Sequence, residues 1–496
     1  WIMSFDYGQN GAFVGKENGH QKTGWGKGGE DDFEARQRVR LQLDAVASEA
    51  LSGTVYFEIG DSIWGQNSTG GALGADGKIV ELKQAYIDWM PPETDLKVRM
   101  GIQNITTPAY ASGNSVLNDD VAGVVATYQI NEMAGVTAFW ARPYNDNFTG
   151  FNDPNHSDWR ANYMDNMDAV GLLVPLTFDG AKVTPWGMYA GIGPNTFRKS
   201  AKVEEVIDGN TVTSYTNNWS GNMSNLGAGR NFVNSGLFPV GGMRHRDFSN
   251  ANGARNLSAY ANAWWGGISS EITIWDPFRL AFDFEYGSVT WEDDGRLNRQ
   301  GWFATLLAEY KLDWATPGLY GWYASGDDSN PANGSERLPT LDGNNTNKYS
   351  NFAFDGDPYI ARDAVVGHSM AGTWGIGGRL KDMSFLEDLK HTFRVNFIGG
   401  TNSTTMAKKL SLADYWANSG LMGMDALYLT TGDSALEIGL SNYYKMYDNF
   451  TISLEADYIA LWLDTSTSAW GARHKEGKSI PQTKDAWNIN ASFVYS

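Results

Sequence analysis

The chain has 496 residues, a formal net charge of −19, no cysteine and a mean hydropathy of −0.39. The missing thiols exclude thiol catalysis, cysteine-ligated zinc and a disulfide scaffold, and the acidity argues against nucleic acid as a partner. No run approaches the roughly 18 apolar residues that a spanning helix needs, but that test does not touch strands, in which only every second residue must be apolar.

In chain order, Trp1-Ile2-Met3-Ser4-Phe5 reads as a strand already under way, without a charged, apolar, small-residue leader, so any export signal is expected to have been removed. Residues 33–48 contain good helix formers, with Glu34 and Arg38 spaced for an i, i+4 pair. The strand reading prevails there because Val39, Leu41, Leu43, Ala45 and Ala47 fill one face at a period of two. Leu96, Val98, Met100 and Ile102 alternate with Lys97, Arg99 and Gln103. Val203 to Tyr215, around Asp208-Gly209-Asn210, predicts a hairpin that projects outside the wall. Further on, Phe278, Leu280, Phe282, Phe284 and Tyr286 share a face, as do Trp302, Ala304, Leu306, Ala308, Tyr310, Leu312 and Trp314. The clearest alternation is Phe450, Ile452, Leu454, Ala456 and Tyr458 against Thr451, Ser453, Glu455 and Asp457, and the last strand offers Trp487, Ile489, Ala491, Phe493 and Tyr495.

Connections are unequal. Short turns rich in Pro, Gly, Asp and Asn fall at 48–50, 91–95, 178–180, 275–277, 315–318 and 447–449, and long polar stretches at 10–32, 61–78, 105–119, 145–166, 193–255, 327–367, 403–432 and 464–484. The 20 Trp, 23 Tyr and 23 Phe fit aromatic belts: Trp89, Trp275 and Trp314 lie beside short turns, and Trp64, Trp140, Trp322 and Trp462 near long ones. A soluble sandwich has no reason for this asymmetry. The fold expected is all-β, a single transmembrane antiparallel up-and-down barrel over 1–496, with about eighteen strands, or sixteen if the first stretch stays out of the wall. The turns face the periplasm and the long loops, including 193–255, the exterior.

Arg36, Arg38 and Arg40 recur at every second residue, in the phase assigned to the lumen. Lys97 and Arg99 repeat the pattern, and Lys390 and Arg394 follow later. Forked, permanently charged guanidinium groups suit carboxylate, sulfate or phosphate, and basic rings give pores an anion preference. A water-filled barrel also lines its wall with charges for solvation alone, so the arginines serve selectivity or simple ion pairing.

The runs Phe33-Glu34-Ala35-Arg36-Gln37-Arg38-Val39-Arg40-Leu41, Gln84-Ala85-Tyr86-Ile87-Asp88-Trp89 and Lys97-Val98-Arg99-Met100-Gly101-Ile102-Gln103 resemble trimeric bacterial general porins, most of all the homotrimeric porins of sulfate-reducing, Desulfovibrio-type bacteria. The resemblance covers the whole chain in pattern and is specific mainly over 33–144. It implies passive diffusion of small hydrophilic solutes, a homotrimer in the outer membrane of a Gram-negative cell, and a third external loop folded into each pore. That loop is taken as 145–166, carrying Asp146, Asp153, Asp158 and Arg160. With Asp283, Glu285, Glu455 and Asp457 on the remote wall, it would set an acidic surface against the arginines. One departure is the ending Phe493-Val494-Tyr495-Ser496, because such barrels usually end in an aromatic residue. Either a last residue lies beyond Ser496 or the assembly signal is read differently.

The six His show no metal-ligand spacing, and no nucleophile elbow or phosphate-cradling glycine loop stands out. His391 is expected at the membrane interface. Asp355 and Asp357 are candidates for structural calcium; no other cofactor is expected. The expected partners are the lipid bilayer, two further copies and small hydrophilic or anionic solutes. A substrate-specific channel for organic acids is a close variant. A secreted carbohydrate-binding protein or glycosidase is the alternative from another class, and a barrel lipase or protease a third, for which no convincing nucleophile–base pair is found.

Overall fold

A strand in hydrocarbon cannot leave its N–H and C=O groups unpaired, because no water is there to satisfy them. A sheet that closes on itself meets that demand. The computed structural model describes all residues except 10–12, 18–19, 24–31, 67–69, 75–79, 146–165, 194–198, 208–209, 219–235, 240–258, 292–294, 331, 342–348, 355–363, 368, 410–426, 465, 467–481 and 484.

The wall begins with β1 (Ile2–Gln9), β2 (Asp32–Ser48), β3 (Leu51–Ile63), β4 (Glu81–Trp89), β5 (Leu96–Thr106) and β6 (Asn118–Gln129). It continues through β7 (Gly135–Asn145), β8 (Asn166–Leu173, resumed at Leu176–Phe178), β9 (Ala181–Ile192), β10 (Ala261–Ile272), β11 (Phe278–Thr290) and β12 (Arg299–Tyr310). It ends with β13 (Thr316–Ala324), β14 (Thr373–Leu386), β15 (Leu389–Gly400), β16 (Ser434–Tyr447), β17 (Phe450–Trp462) and β18 (Ala486–Tyr495). β8 breaks at Pro175, which has no N–H to donate. Every strand pairs antiparallel with its chain neighbours, and β1 closes the ring against β18 from Ile2↔Val494 to Gln9↔Trp487. The fold is thus a closed antiparallel barrel of eighteen strands, with β1 in the wall. Residues 33–48 are strand, as their period-two face requires.

Eight connections are short, including two that the sequence reading passed over, 130–134 and 387–388. The other nine run from 8 residues, between β11 and β12, upward. The hairpin predicted around residue 209 is present as Lys199–Ile207 against Asn210–Asn218, in a two-stranded sheet separate from the wall.

The outer face of the wall is apolar, although some inward faces, such as that of β9 with Trp186 and Met188, are apolar too. Leu41, Leu43, Ile87, Ile102, Phe282, Phe284, Leu306, Leu454 and Ile489 are all exposed on the outer surface. Trp89, Tyr128, Phe178, Trp275, Tyr310, Trp314 and Tyr495 ring the short-turn end, while Trp64, Trp140, Trp264, Trp302, Tyr323 and Trp462 ring the other. Trp314 and Leu312 lie in the turn after β12 and not in the strand itself. Trp322 departs from the belt expected for it. It is 5% exposed, points inward, packs on Tyr349 and Phe354, and donates Nε1–H to Thr373 Oγ1 at 3.2 Å. Its neighbour Tyr323 takes the outward place, so the phase there is one residue off the reading. His391 is the third residue of β15, on its apolar phase, with Nδ1 2.7 Å from Asn442 Oδ1.

Long stretches expected outside the barrel fold partly into it. Segments 107–117, 236–239, 325–330, 332–341, 349–354, 364–367 and 427–430 pack against one another and against the inner faces of β9 to β17. Their apolar residues form a dry core: Ala111, Val116, Leu237, Phe238, Leu341, Phe352, Phe354, Val366, Leu427 and Leu429 are buried. Arg299, fully buried on β12, ties two of these segments together by donating to the carbonyls of Phe238, Arg337 and Leu338.

Leu306 is 53% exposed in the middle of β12 on the apolar face. Leu306→Arg is expected to destabilise the folded protein by about 2–4 kcal/mol in phospholipid vesicles, as an arginine near the bilayer midplane does; denaturant titration of refolded protein checks it.

Candidate functional site

The inner wall has two unlike sides. On β9 to β17, wall carboxylates hold the inward segments. Asp283 on β11 accepts the backbone N–H groups of Tyr110 (2.7 Å, Oδ1), Ala111 (2.8 Å, Oδ2) and Ser112 (3.1 Å, Oδ2). Arg279 Nη2 donates to Tyr110 O at 3.0 Å, and Ser269 Oγ to Pro108 O at 2.9 Å. Glu437 on β16 does the same for a second segment. Its Oε1 accepts Ser350 Oγ–H (2.8 Å) and the N–H groups of Asn351, Phe352 and Ala353 at 3.1, 2.8 and 3.1 Å, while Oε2 takes Asn396 Nδ2–H at 2.7 Å. A carboxylate that receives several N–H groups is fully hydrogen-bonded without a cation. Deeper in the loops, Tyr428 donates to Asp327 Oδ2 at 2.6 Å; burial, and then the Asp327 charge, holds its hydroxyl well above the usual tyrosine range, so it remains a donor.

Water reaches the other side, along β2 to β5. Arg36, Arg38 and Arg40 do share the inner face of β2. Arg36 is bound to Glu34, Arg40 Nε lies 2.7 Å from Glu58 Oε2, and Arg38 Nε lies 3.9 Å from Glu58 Oε1. Lys97 and Arg99 are on the inner face of β5 and converge on Asp88 of β4. Arg99 grips it through two bonds of 2.7 and 2.8 Å and stacks 3.9 Å above the Tyr86 ring, and Lys97 Nζ lies 3.1 Å away. Arg40 and Lys97 keep 38% and 45% of their side chains exposed, whereas Glu437 and Glu455 are at 1% or less. The predicted ladder is therefore an ion-paired strip, in which Glu58 serves Arg38, Arg40 and, at 3.9 Å, Lys83.

The remote acidic wall is corrected. Asp283, Glu285, Glu455 and Asp457 are all under 5% exposed and do not face the arginines across water: Asp283, Glu285 and Asp457 meet the inward segments at 110–112, Ser115 and Asn351, while Glu455 accepts from the Tyr443 hydroxyl of the neighbouring strand at 3.2 Å. Asp146, Asp153, Asp158 and Arg160 lie outside the described residues, as do Asp355 and Asp357. Counted along the wall, 146–165 is the fourth long connection; the third is 107–117, and it is the one bound to Asp283. Among the described residues no group of three His, Asp or Glu side chains is arranged to hold a metal.

Sequence reasoning placed Arg279 on the water-facing side but missed the run of charge that it joins on the inner faces of β9 to β14: Lys182, Glu271, Arg279, Glu309 and Arg379, linked at 3.9, 2.5, 2.8 and 2.6 Å. Lys182 shares its inward phase with buried Trp186 and Met188 and was not legible from the alternation, whereas Glu271, Arg279, Glu309 and Arg379 stand opposite the outward apolar phase of their strands and were. Asp88, between Ile87 and Trp89, was legible in the same way.

Next to Lys97 and Arg99, along β5 to β8, lies a cavity of about 330 Å³. Its apolar lining is Val125, Phe139 and Leu173 across from the cations, with Ile105 further along β5; Gln103, Asn104, Thr106, Thr127 and Thr137 complete it.

No protein-family model and no curated protein sequence matches the chain. Solved structures do. Pseudomonas aeruginosa OpdK, crystallised with vanillate, is 9% identical with a TM-score of 0.47, covering 100% of this chain and 97% of that one. Pseudomonas aeruginosa OpdQ is 9% identical with a TM-score of 0.46, over 99% and 96%. OmpT, an outer membrane protein of Vibrio cholerae, is 10% identical with a TM-score of 0.34, over 100% and 96%. These are similarities of barrel shape; the strand count and closure rest on the pairing itself.

Asp283→Ala removes the acceptor of three N–H groups from 110–112. Charged hydrogen bonds contribute about 1.5–3 kcal/mol each at most, so the segment is expected to open far more often. Limited proteolysis near residue 112 and single-channel conductance should both increase, while the barrel stays folded by gel mobility without boiling.

Proposed function

We propose that the protein is a passive channel of a bacterial outer membrane, through which small hydrophilic solutes and ions diffuse along the charged strip of β2 to β5. The observation that carries this reading is the pairing of a greasy outer surface with a hydrated, ion-paired inner face inside a closed wall. Lipid takes the first, and only water can take the second. The short turns then lie in the periplasm and the long connections outside the cell. Steric filtering comes from the inward segments, and electrostatics from the strip they leave uncovered.

Selectivity on this reading is weak and local. Arg38 and Arg40 share Glu58, and Lys97 and Arg99 share Asp88, so each group carries one more cation than its central carboxylate. Anions are favoured beside them, against the acidic balance of the whole chain. Three copies are the assembly that the resemblance to general porins implies. The apolar outer faces of β18 and β1, carrying Phe5, Ile489 and Phe493, are the contact proposed for it, since they adjoin where the ring closes.

Purified protein in a planar bilayer should conduct in steps, and a salt gradient should give a reversal potential on the anion side. Reversing one charge about 4 Å from a passing ion changes its energy by about 1–2 kcal/mol in a water-like medium. Lys97→Glu and Arg40→Glu are thus each expected to lower the chloride-to-potassium permeability ratio several-fold. A detergent-solubilised protein that never conducts would remove the channel reading.

A further inference from the structure

The cavity beside Lys97 and Arg99 has two chemically distinct sides, which solvation alone does not require. Its position follows from the register. Along one inner row Lys97, Thr127, Thr137 and Leu173 stand side by side on β5 to β8, and along the next stand Arg99, Val125, Phe139 and Gly171. Cations therefore occupy the β5 edge and apolar groups the β7–β8 edge. Gly171 makes this possible, since a Cβ there would lie 2.2 Å from the Phe139 ring. The ring can rest flat on the strand only because that position is a glycine. Phe139 is buried and joins the dry core of the inward segments, so the apolar side is fixed in place.

The cationic edge is also set. Asp88 receives Arg99 through both carboxylate oxygens and Lys97 at 3.1 Å, two cations on one anion. Arg99 is further held against Tyr86. Lys97, nearly half exposed, is the group with reach to spare.

We propose that this cavity is a binding site for monoanions that carry an apolar body, such as short-chain or aromatic carboxylates, with the charged end at Lys97 and Arg99 and the body against Val125, Phe139 and Leu173. The site rests on the channel reading above and narrows its solute class. Inorganic anions meet only the cationic edge and pass; amphipathic ones dwell. A cavity of about 330 Å³ is at the low end of small-molecule sites and suits a solute of modest size.

Potassium alkanesulfonates of increasing chain length are suitable probes, because they stay ionised and do not cross the bilayer as neutral acids. Half-block of the single-channel current is measured for methane-, propane- and butanesulfonate at equal ionic strength. Affinity should rise about two- to fourfold per added methylene, as partial to full burial of each group gives. Lys97→Gln should weaken all three probes by a similar factor. Leu173→Ser and the near-isosteric Val125→Thr should each flatten the chain-length dependence. Equal block by all three probes in a conducting protein, or a dependence unchanged in both variants, would overturn the site while leaving the channel intact. Absence of conductance in any salt would overturn both.

Discussion

Backbone hydrogen bonding in a medium without water is the constraint on which this structure depends. Leaving one N–H or C=O unpaired in hydrocarbon costs several kcal/mol, so a sheet that enters the membrane must have no edge. The β1–β18 seam satisfies this at the last open place in the wall. Once the ring is closed, period two does the rest. Every outward residue meets lipid and every inward one meets whatever the barrel contains, so Leu454 and Glu455, adjacent in the chain, live in opposite solvents.

The barrel does not contain only water. Apolar groups within the long connections leave solvent by packing on one another inside the wall, and the inner faces of β9 to β17 supply the polar anchors that make this burial affordable. Asp283 and Glu437 each take up backbone donors that would otherwise lie unpaired beside a dry core. Filling the lumen from one side pushes the hydrated path to the other, next to the strip of β2 to β5. Carboxylates of similar sequence context thus part ways: Glu437 becomes a loop anchor at 1% exposure, and Glu58 an ion-pair hub in reach of water.

Nearly all of the wall was legible in the sequence, because alternation is a local signal repeated many times. The 33–48 segment, ambiguous by helix propensity, was settled correctly by its face. Trp322 was misplaced because an aromatic beside a long loop suits a belt and a lumenal core equally well; only the packing of Tyr349 and Phe354 decides. The inward segments were read as external because their overall polarity is high. Their apolar clusters, Phe352-Ala353-Phe354, Val365-Val366 and Leu427-Tyr428-Leu429, were the available sign that they bury something. Side-chain pairing across the lumen was out of reach, since the approach of 110–112 to Asp283 joins residues some 170 positions apart. Lys97 and Arg99 were found by their phase, but Asp88 as their shared partner needed the register of β4 on β5.

The absence of cysteine from the whole chain allows the central claim to be tested position by position. Single cysteines at 40, 42 and 97 on the hydrated side, at 437, 453 and 455 on the buried part of the inner face, and at 43, 306 and 454 on the outer face should be introduced into protein reconstituted in vesicles. The rate of reaction with a small, charged, membrane-impermeant thiol reagent is then measured at each. Fast labelling at the first three, and slow labelling at the other six, with a lipid-soluble reagent reaching only the outer three, is the result expected of an off-centre aqueous path. Uniform labelling of all six inward positions would contradict the one-sided filling, and labelling of the outer three by the charged reagent would contradict the membrane-embedded barrel.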